Sequence, residues 1–277
     1  MMRDRGYLDF GRGFMGFEVV RGVVNDLKDS ALRFGVLSVR WRGEPLLHPE
    51  AAPILRYLMA EAIGPKGVAD TLRIETDGRF VTEELADFAA AGGAQEWVFD
   101  LDRGDGAGVD QIWSRRGPGV AVILACTAGE GSPAHHWAER FSGLPVQIGA
   151  RPTGHDSLWV RARVHDHYLA TKEARAHLEA LASELGVPLA PAPGGTSGPV
   201  RCQAPARTPV VSWDGKVVLC PSDVRLVEPL GEITPGSLAA LWRGADRVRA
   251  VTDCETRGRP DRSICRSCGR PEAPHID

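Results

Sequence analysis

The sequence predicts an α/β protein in two parts: a sheet of parallel strands interleaved with helices, then a small module built on a β-hairpin and a short helix. Three observations predict it. Strand-like and helix-like runs alternate from residue 17 to about residue 187, the rhythm of βα units whose strands lie parallel and buried. "PLAPAPGGTSGPV" at 188–200 holds four prolines and three glycines, a composition that supports no regular element and marks a boundary. Five of the six cysteines, Cys202, Cys220, Cys254, Cys265 and Cys268, crowd into the C-terminal remainder of the chain. The expected division is a parallel-stranded domain at 1–187, a linker at 188–200 and a cysteine-bearing module at 201–277.

Taken in order, "FEVVRGVVNDLKDSAL" (17–32) places Val19, Val20, Val23, Val24 and Leu27 at helical spacing. "FGVLSVRW" (34–41) is a β-rich run, and "APILRYLMAEAI" (52–63) is again helical. "TLRIET" (71–76) predicts a strand, "TEELADFAAA" (82–91) a helix capped by Thr82, and "EWVFDLD" (96–102) a strand. "VAVILACT" (120–127) is the next strand, then come a helix near 134–142, "PVQIGA" (145–150) and a further candidate strand in "SLWVRARV" at 157. "TKEARAHLEALASELG" (171–186) predicts a helix with Thr171 as N-cap, a stripe of Ala174, Leu178, Leu181 and Leu185, and Gly186 at its end. In the module, Asp214-Gly215 between two β-branched runs predicts a hairpin with a two-residue type I′ turn. "GSLAALWRG" predicts a short helix with Ser237 as N-cap and Trp242 as its anchor. No internal repeat is present.

Composition narrows the function classes. With 43% hydrophobic residues the chain can bury a sizeable core. Its longest apolar run, "VAVILAC", is too short to span a bilayer, and its first ten residues carry no apolar stretch of the signal-peptide kind. A cytoplasmic protein with no membrane partner is the expectation. Net charge is −3, from 33 basic and 36 acidic residues, and all but four of the basic ones are arginine. The arginines are scattered among acids with no basic block, which sets nucleic acid aside as a partner.

A cysteine-rich segment without an export signal points to metal or reactive thiols. Cys265-x-x-Cys268 could be a redox pair, but thioredoxin-like pairs precede a helix that lowers the thiol pKa, and "GRPEAPHID" cannot build one. Four thiolates drawn from Cys202, Cys220, Cys265 and Cys268 suit a structural zinc or an iron–sulfur cluster, and spacing alone does not separate the two. Cys126, in an apolar strand, is expected to be a core residue. His135-His136 and His165-x-His167 lack further ligands at set spacing and are read as solvated or core side chains.

The residues around the cysteines resemble a known module. "C…WDGKVVLCPSDV…LGEI…SLAALW…CRSC", covering about 202–268, is similar to the SPASM or twitch module that ends many radical SAM proteins. Gly215 lies four residues ahead of the hairpin cysteine, Gly231-Glu232-Ile233 comes after it, and Ser237, Leu238 and Trp242 fall in order. The resemblance implies one auxiliary 4Fe–4S cluster on Cys202, Cys220, Cys265 and Cys268. Cys254 is then a spare thiol, the preferred reading, or a substitute ligand. "VRWRGEPLLHP", "IETDGRFVTEEL" and "VFDLD" resemble the radical SAM segments at the ends of successive strands of its partial barrel. Gly43-Glu44-Pro45 alone could be a mere strand-to-helix turn; in series with the others it implies that Gly43, Glu44, Thr76 and Asp102 line a site for S-adenosylmethionine. Glu44 would offer a carboxylate to an ammonium group, and Gly43 would permit close backbone approach. The implied partners are a peptide or small-molecule substrate, a reductase, or a partner chain over an exposed sheet edge.

The family's three cysteines, Cys-x-x-x-Cys-x-x-Cys after the first barrel strand, have no counterpart here. Cys126 is the one cysteine before Cys202, and one thiolate cannot hold the SAM-cleaving cluster. Arg42 stands for the first glycine of the GGE segment, and Asp77 for the usual asparagine. The expectation is either a start lying upstream, favoured by the well-kept downstream segments, or a degenerate scaffold that keeps only the auxiliary cluster. In both, 34–41 becomes the exposed edge of the sheet.

Overall fold

The computed structural model describes residues 13–40, 43–102, 104, 106–128, 132–148, 152–161, 172–189 (side chains from 178), 202, 204–221, 223, 225–258, 262 and 265. In chain order the elements are α1 (Phe17–Asp29), β1 (Phe34–Ser38), α2 (Ala51–Glu61), β2 (Ala69–Thr76), α3 (Glu83–Ala90), β3 (Gln95–Asp100), α4 (Ala107–Arg115), β4 (Val120–Thr127), α5 (Ala134–Arg140), β5 (Val146–Ile148), β6 (Ser157–Arg161) and α6 (Lys172–Leu185). The second part holds α7 (Ala204–Arg207), β7 (Val210–Val211), β8 (Lys216–Val218), β9 (Gly231–Glu232), α8 (Ser237–Arg243) and α9 (Ala245–Arg257). Two compact units result. One runs from 34 to 197; the other joins 1–33 to 198–276. Helix α1, read from sequence with the barrel, therefore belongs to the unit of the C-terminal module.

The 34–197 unit is the α/β architecture expected: a six-stranded sheet in the order β1-β2-β3-β4-β6-β5, every pair parallel. Among the described residues β1 pairs with β2 alone, the predicted edge. The chain passes from β4 out to β5 and returns to place β6 between them. Register divides the strands into two faces. Leu72, Ile74, Trp97, Phe99, Val122, Leu124, Leu158 and Val160 share one face and are fully buried, and Phe88 of α3 packs its ring on Trp97 there. Cys126 lies on that face, buried as expected of a core residue. The opposite face is charged: Arg73, Glu96, Asp100 and Arg161 stand on it around a small apolar patch of Val98, Ile123, Ala125 and Trp159. On this face Arg73 Nε donates to Glu96 Oε2 at 2.7 Å, and Gly154 N to Glu96 Oε1 at 2.6 Å. Both side chains are buried.

Helix α4 has no counterpart in the sequence reading. Its neighbourhood is rich in glycine, yet β3 and β4 are parallel neighbours and need a crossover, which α4 supplies by burying Val109 and Ile112. Thr82 caps α3 as predicted, its hydroxyl accepting from Leu85 N. Thr171, His165 and His167 lie outside the described residues.

The other unit has short strands in the order β7-β8-β9, both pairs antiparallel. Its hairpin differs from the predicted two-residue turn. Val211 pairs with Val217, Ser212 N donates to Lys216 O at 2.8 Å, and Gly215 N donates to Ser212 O at 2.9 Å. The loop is thus Trp213-Asp214-Gly215, and Gly215 (φ +82°) takes the left-handed position while Asp214 does not; one positive φ ends a type I turn, whereas type I′ needs two. Asp214 is held by Ser212 and Lys216. Ser237 is not the N-cap of α8. Gly236 occupies that position, and the capping oxygens come from Asp26 of α1: Oδ1 accepts Gly236 N at 2.6 Å and Oδ2 accepts Leu238 N at 3.0 Å. A core of Leu219, Trp242 and Ala250, flanked by Leu32 and Leu230, joins these elements.

Candidate functional site

In a parallel α/β sheet, ligands collect at the C-terminal ends of the strands, and here those ends carry a continuous polar rim. After β1 the chain turns through a short 3-10 segment, Pro45–Leu47, whose N-cap is Glu44. Its carboxylate takes three donors: Leu46 N at 3.0 Å and Thr76 Oγ1 at 2.6 Å on Oε1, and Asp77 N at 2.8 Å on Oε2. Thr76 Oγ1 in turn accepts Gly78 N at 3.0 Å. Glu44 and Thr76, singled out from sequence, are thus in direct contact. Gly43 stands beside them with a backbone any residue could adopt, and a Cβ built there would meet nothing within 4 Å. Among the described residues nothing packs closely enough to call for glycine at that position.

Asp102 sits farther along the rim. Its carboxylate accepts Thr127 N at 2.9 Å and Thr127 Oγ1 at 2.5 Å, and meets Arg161 Nη2 at 3.4 Å. Between the two groups lie three residues that the sequence reading passed over. Asp100, almost wholly buried, pairs with Arg161 (2.9 Å) and Arg40 (3.3 Å). Burial works against the Asp77 carboxylate, but the Arg79 hydrogen bonds and charge, with Arg40 adding to them, outweigh it and hold its pKa below the usual value. Cys126 opens no chemistry here: burial, reinforced by Asp102, pushes its thiol up to about 12.

The cysteines form a second constellation, in the unit of α1 and the C-terminal segment. Cys202 precedes α7, and its N donates to Gly258 O at 3.0 Å, just past the end of α9. Cys220 comes just after β8, and its carbonyl accepts Asp223 N at 3.0 Å. The buried Asp223 carboxylate then accepts Val227 N (2.9 Å) and Glu228 N (3.2 Å). Arg262 reaches back to Glu228, Nε to Oε2 at 2.6 Å and Nη2 to the carbonyl at 3.0 Å, and its own carbonyl accepts Cys265 N. A chain of named bonds therefore runs from the Cys220 loop to the Cys265 turn. Cys254, in the last turn of α9, is buried and hydrogen-bonded through its side chain to Cys202. That hydrogen bond, then burial, then the nearby Cys202 and Cys265 sulfurs hold its thiol above the ordinary range. Cys268 lies outside the described residues. Among the described residues no three His, Cys, Asp or Glu side chains stand in the geometry of a single metal ion, and no helix is long and apolar enough to cross a membrane.

Comparison with known proteins divides along the same lines. Residues 202–269 match the SPASM family model, an iron–sulfur cluster-binding domain. No curated protein matches the chain. Among solved structures, BtrN in complex with AdoMet and 2-DOIA gives a TM-score of 0.54 at 14% identity, covering 94% of this chain and 82% of that one. Streptococcus suis SuiB bound to S-adenosylmethionine gives 0.57 at 11% identity, covering 94% and 65%. At such identities the likeness is one of fold. The parallel sheet with its small C-terminal β-module is the architecture that the radical SAM resemblance implied, and the SPASM match falls on the segment whose motif carried it.

Proposed function

We propose that this chain, with a SPASM segment at 202–269 on a fold shared with two proteins solved with S-adenosylmethionine, is a radical SAM/SPASM-type protein. When complete it modifies a peptide, a protein or a small metabolite. S-adenosylmethionine rests on the rim of the parallel sheet, and an auxiliary 4Fe–4S cluster sits on Cys202, Cys220, Cys265 and Cys268. The observation that carries the reading is Glu44, a carboxylate fixed by Thr76 and Asp77 N at the C-terminal ends of β1 and β2. An ionised carboxylate offers about four lone-pair directions; three are taken, and the fourth is available to an ammonium group beside the open space at Gly43. Arg161 Nε supports the same reading: it is buried without a hydrogen-bond partner among the described residues, a donor suited to a carboxylate or ribose oxygen. Asp102 orients Arg161 from the end of β3.

Thiolates fit an iron–sulfur cluster by softness, and the bonded path through Asp223, Glu228 and Arg262 brings the ligand-bearing loops into order. Bound there, with each iron held by a thiolate, the cluster would supply an electron. The chain itself fixes the loops.

The reductive step that opens S-adenosylmethionine needs three further cysteines, and the 277-residue sequence offers Cys126 alone before Cys202. The polypeptide as given is therefore expected to bind S-adenosylmethionine without cleaving it. A second reading, a non-catalytic scaffold with a single cluster or a zinc for peptide binding or electron relay, draws on Asp77, which is engaged by Arg79 where the family has asparagine. Anaerobically reconstituted protein is tested by iron, zinc and sulfide analysis, by equilibrium dialysis with S-adenosylmethionine, and by release of 5′-deoxyadenosine under dithionite. The reading expects iron with sulfide, binding weakened at least tenfold by Glu44→Gln, no release from this polypeptide and release from an upstream-extended one. Zinc without iron, or no release from an extended and fully loaded chain, favours the scaffold.

A further inference from the structure

We infer that the substrate of this protein carries a carboxylate, and that Arg161 receives it on the polar face of the sheet. The inference rests on the proposed seat for S-adenosylmethionine at Glu44 and goes beyond it, because the carboxylate belongs to the second molecule of the reaction.

Arg161 closes β6 on the same face as Trp159, opposite Thr127 of β4. Its head is fixed from two sides. Nη2 donates to Asp100 Oδ1 at 2.9 Å and to Asp102 Oδ2 at 3.4 Å, and the guanidinium carbon lies 5.4 Å from the centre of the Trp159 ring. Elsewhere on this face an arginine uses Nε within the fold, Arg73 donating from it to Glu96 at 2.7 Å. Arg161 Nε is buried and has no acceptor among the described residues. Leaving a charged donor unpaired is costly, and a side chain held this firmly needs little further ordering when an acceptor arrives.

Charge decides which acceptor fits. Asp100 is 1% exposed and takes a guanidinium on each oxygen, Arg161 on Oδ1 and Arg40 on Oδ2. The side chains of Arg40 and Arg161 are themselves 12% and 11% exposed. The neighbouring carboxylates are engaged elsewhere: Asp77 with Arg79, and the more open Asp102 chiefly with Thr127. Glu75 stands one row lower, opposite Val98. Among the described residues the buried centre thus holds two cations against one anion, and buried charges are ordinarily paired. A singly charged carboxylate supplies both the counter-charge and an oxygen for Nε. A phosphate dianion would crowd its second charge against Asp100 and Asp102.

The cofactor is not the source of that carboxylate. Thr76, which holds Glu44, alternates along β2 with Leu72 and Ile74 on the apolar face, whereas Asp100, Trp159 and Arg161 stand on the polar one. The ammonium and carboxylate of S-adenosylmethionine hang on one carbon. Anchored by its ammonium at Glu44, the cofactor keeps its carboxylate at that edge of the rim, and Arg161 is left for the molecule on which it acts.

The test uses the full chain, isotopically labelled in arginine for NMR, with acetate, inorganic phosphate and S-adenosylmethionine as probes. The Arg161 Nε–H resonance is the one lost in Arg161→Lys, which keeps a positive charge beside Asp100 and lacks Nε; Arg161→Gln identifies it should the lysine variant fail to fold. Acetate is expected to shift that resonance saturably, whether or not S-adenosylmethionine is bound, and phosphate to bind at least tenfold more weakly. In equilibrium dialysis Arg161→Lys is expected to hold S-adenosylmethionine as wild type does, whereas Glu44→Gln weakens it and leaves the acetate response in place. Phosphate binding tighter than acetate, or a resonance that no anion moves, overturns the carboxylate assignment. Loss of the acetate response once S-adenosylmethionine is bound gives Arg161 to the cofactor, overturning this inference and leaving the Glu44 seat intact. A wild-type chain that does not bind S-adenosylmethionine overturns the seat itself, and this inference with it.

Discussion

The two units reach stability by different routes. Between 34 and 197 all strands but β5 run five to eight residues, their helix-facing residues are mostly apolar, and the charged groups on the other face pair with near neighbours such as Arg73 with Glu96 and Asp100 with Arg161. The unit of α1 and the C-terminal segment has strands of two or three residues and a small named core. What organises it is a set of buried or half-buried polar tethers: Asp26 on α8, Asp223 on its own loop, Arg247 on the α7 carbonyls and Arg262 on Glu228. A module with so small a named core gains from a bound metal. The larger unit needs no such aid. One region folds around hydrocarbon, the other around directed bonds and thiols.

Removing iron is the sharpest way to separate them. Structural metal contributes on the order of 10 kcal/mol to a small domain, so chelation of the reconstituted protein is expected to abolish amide-exchange protection in 204–257 and leave 69–127 protected. Equal loss in both regions would break the contrast. Next in size is Glu96→Ala, which removes the buried Arg73–Glu96 ion pair and the acceptor of Gly154 N; about 3 kcal/mol of destabilisation is expected, read by denaturant unfolding and confined to the sheet. Asp26→Ala removes both capping acceptors from α8 and is expected to cost about 1–2 kcal/mol, lowering the thermal transition of the module and not that of the sheet. The smallest effect concerns pH. The Asp77 pKa is lowered by folding from 3.8, so its contribution is present above the unfolded value and is lost as pH falls through the folded one. Asp77→Asn removes that dependence. Its stability curve below about pH 4 is expected to be flatter than wild type, with the two curves differing most near neutrality and converging as pH falls.

Legibility in the sequence divides in the same way. Strand β4 was legible because a buried parallel strand is an almost continuous apolar run, and β1 to β3 were legible within a few residues through shorter β-rich runs bounded by helical patterns. Glu44 and Thr76 were legible through their motif context. Helix α4 was not: glycines on both sides mask its period, and only the crossover between parallel neighbours demands it. Arg40, Asp100 and Arg161 were passed over because arginine and aspartate in strands look like solvated residues until register brings them together. The α8 cap was out of reach for a plainer reason. Its acceptor lies 210 residues away, and local patterning nominated the nearest hydroxyl, Ser237. Cys254 was weighed by spacing, whereas its position is decided by a helix end docking on Cys202.

The distance between Asp26 and its partners also has a consequence in time. During synthesis α1 leaves the ribosome early, while Gly236 and Leu238 are made 210 and 212 residues later. At about 5–20 residues per second the nascent helix waits on the order of 10–40 seconds with Val20, Val24 and Leu27 uncovered. In that interval the whole 34–197 segment is translated and can collapse first. The sheet unit is in effect an insertion within the other, and the module is completed only when α1 and the segment after residue 197 meet. Newly made chains are therefore exposed to chaperone capture at α1, and a stall after residue 197 would leave a folded sheet trailing an orphan helix.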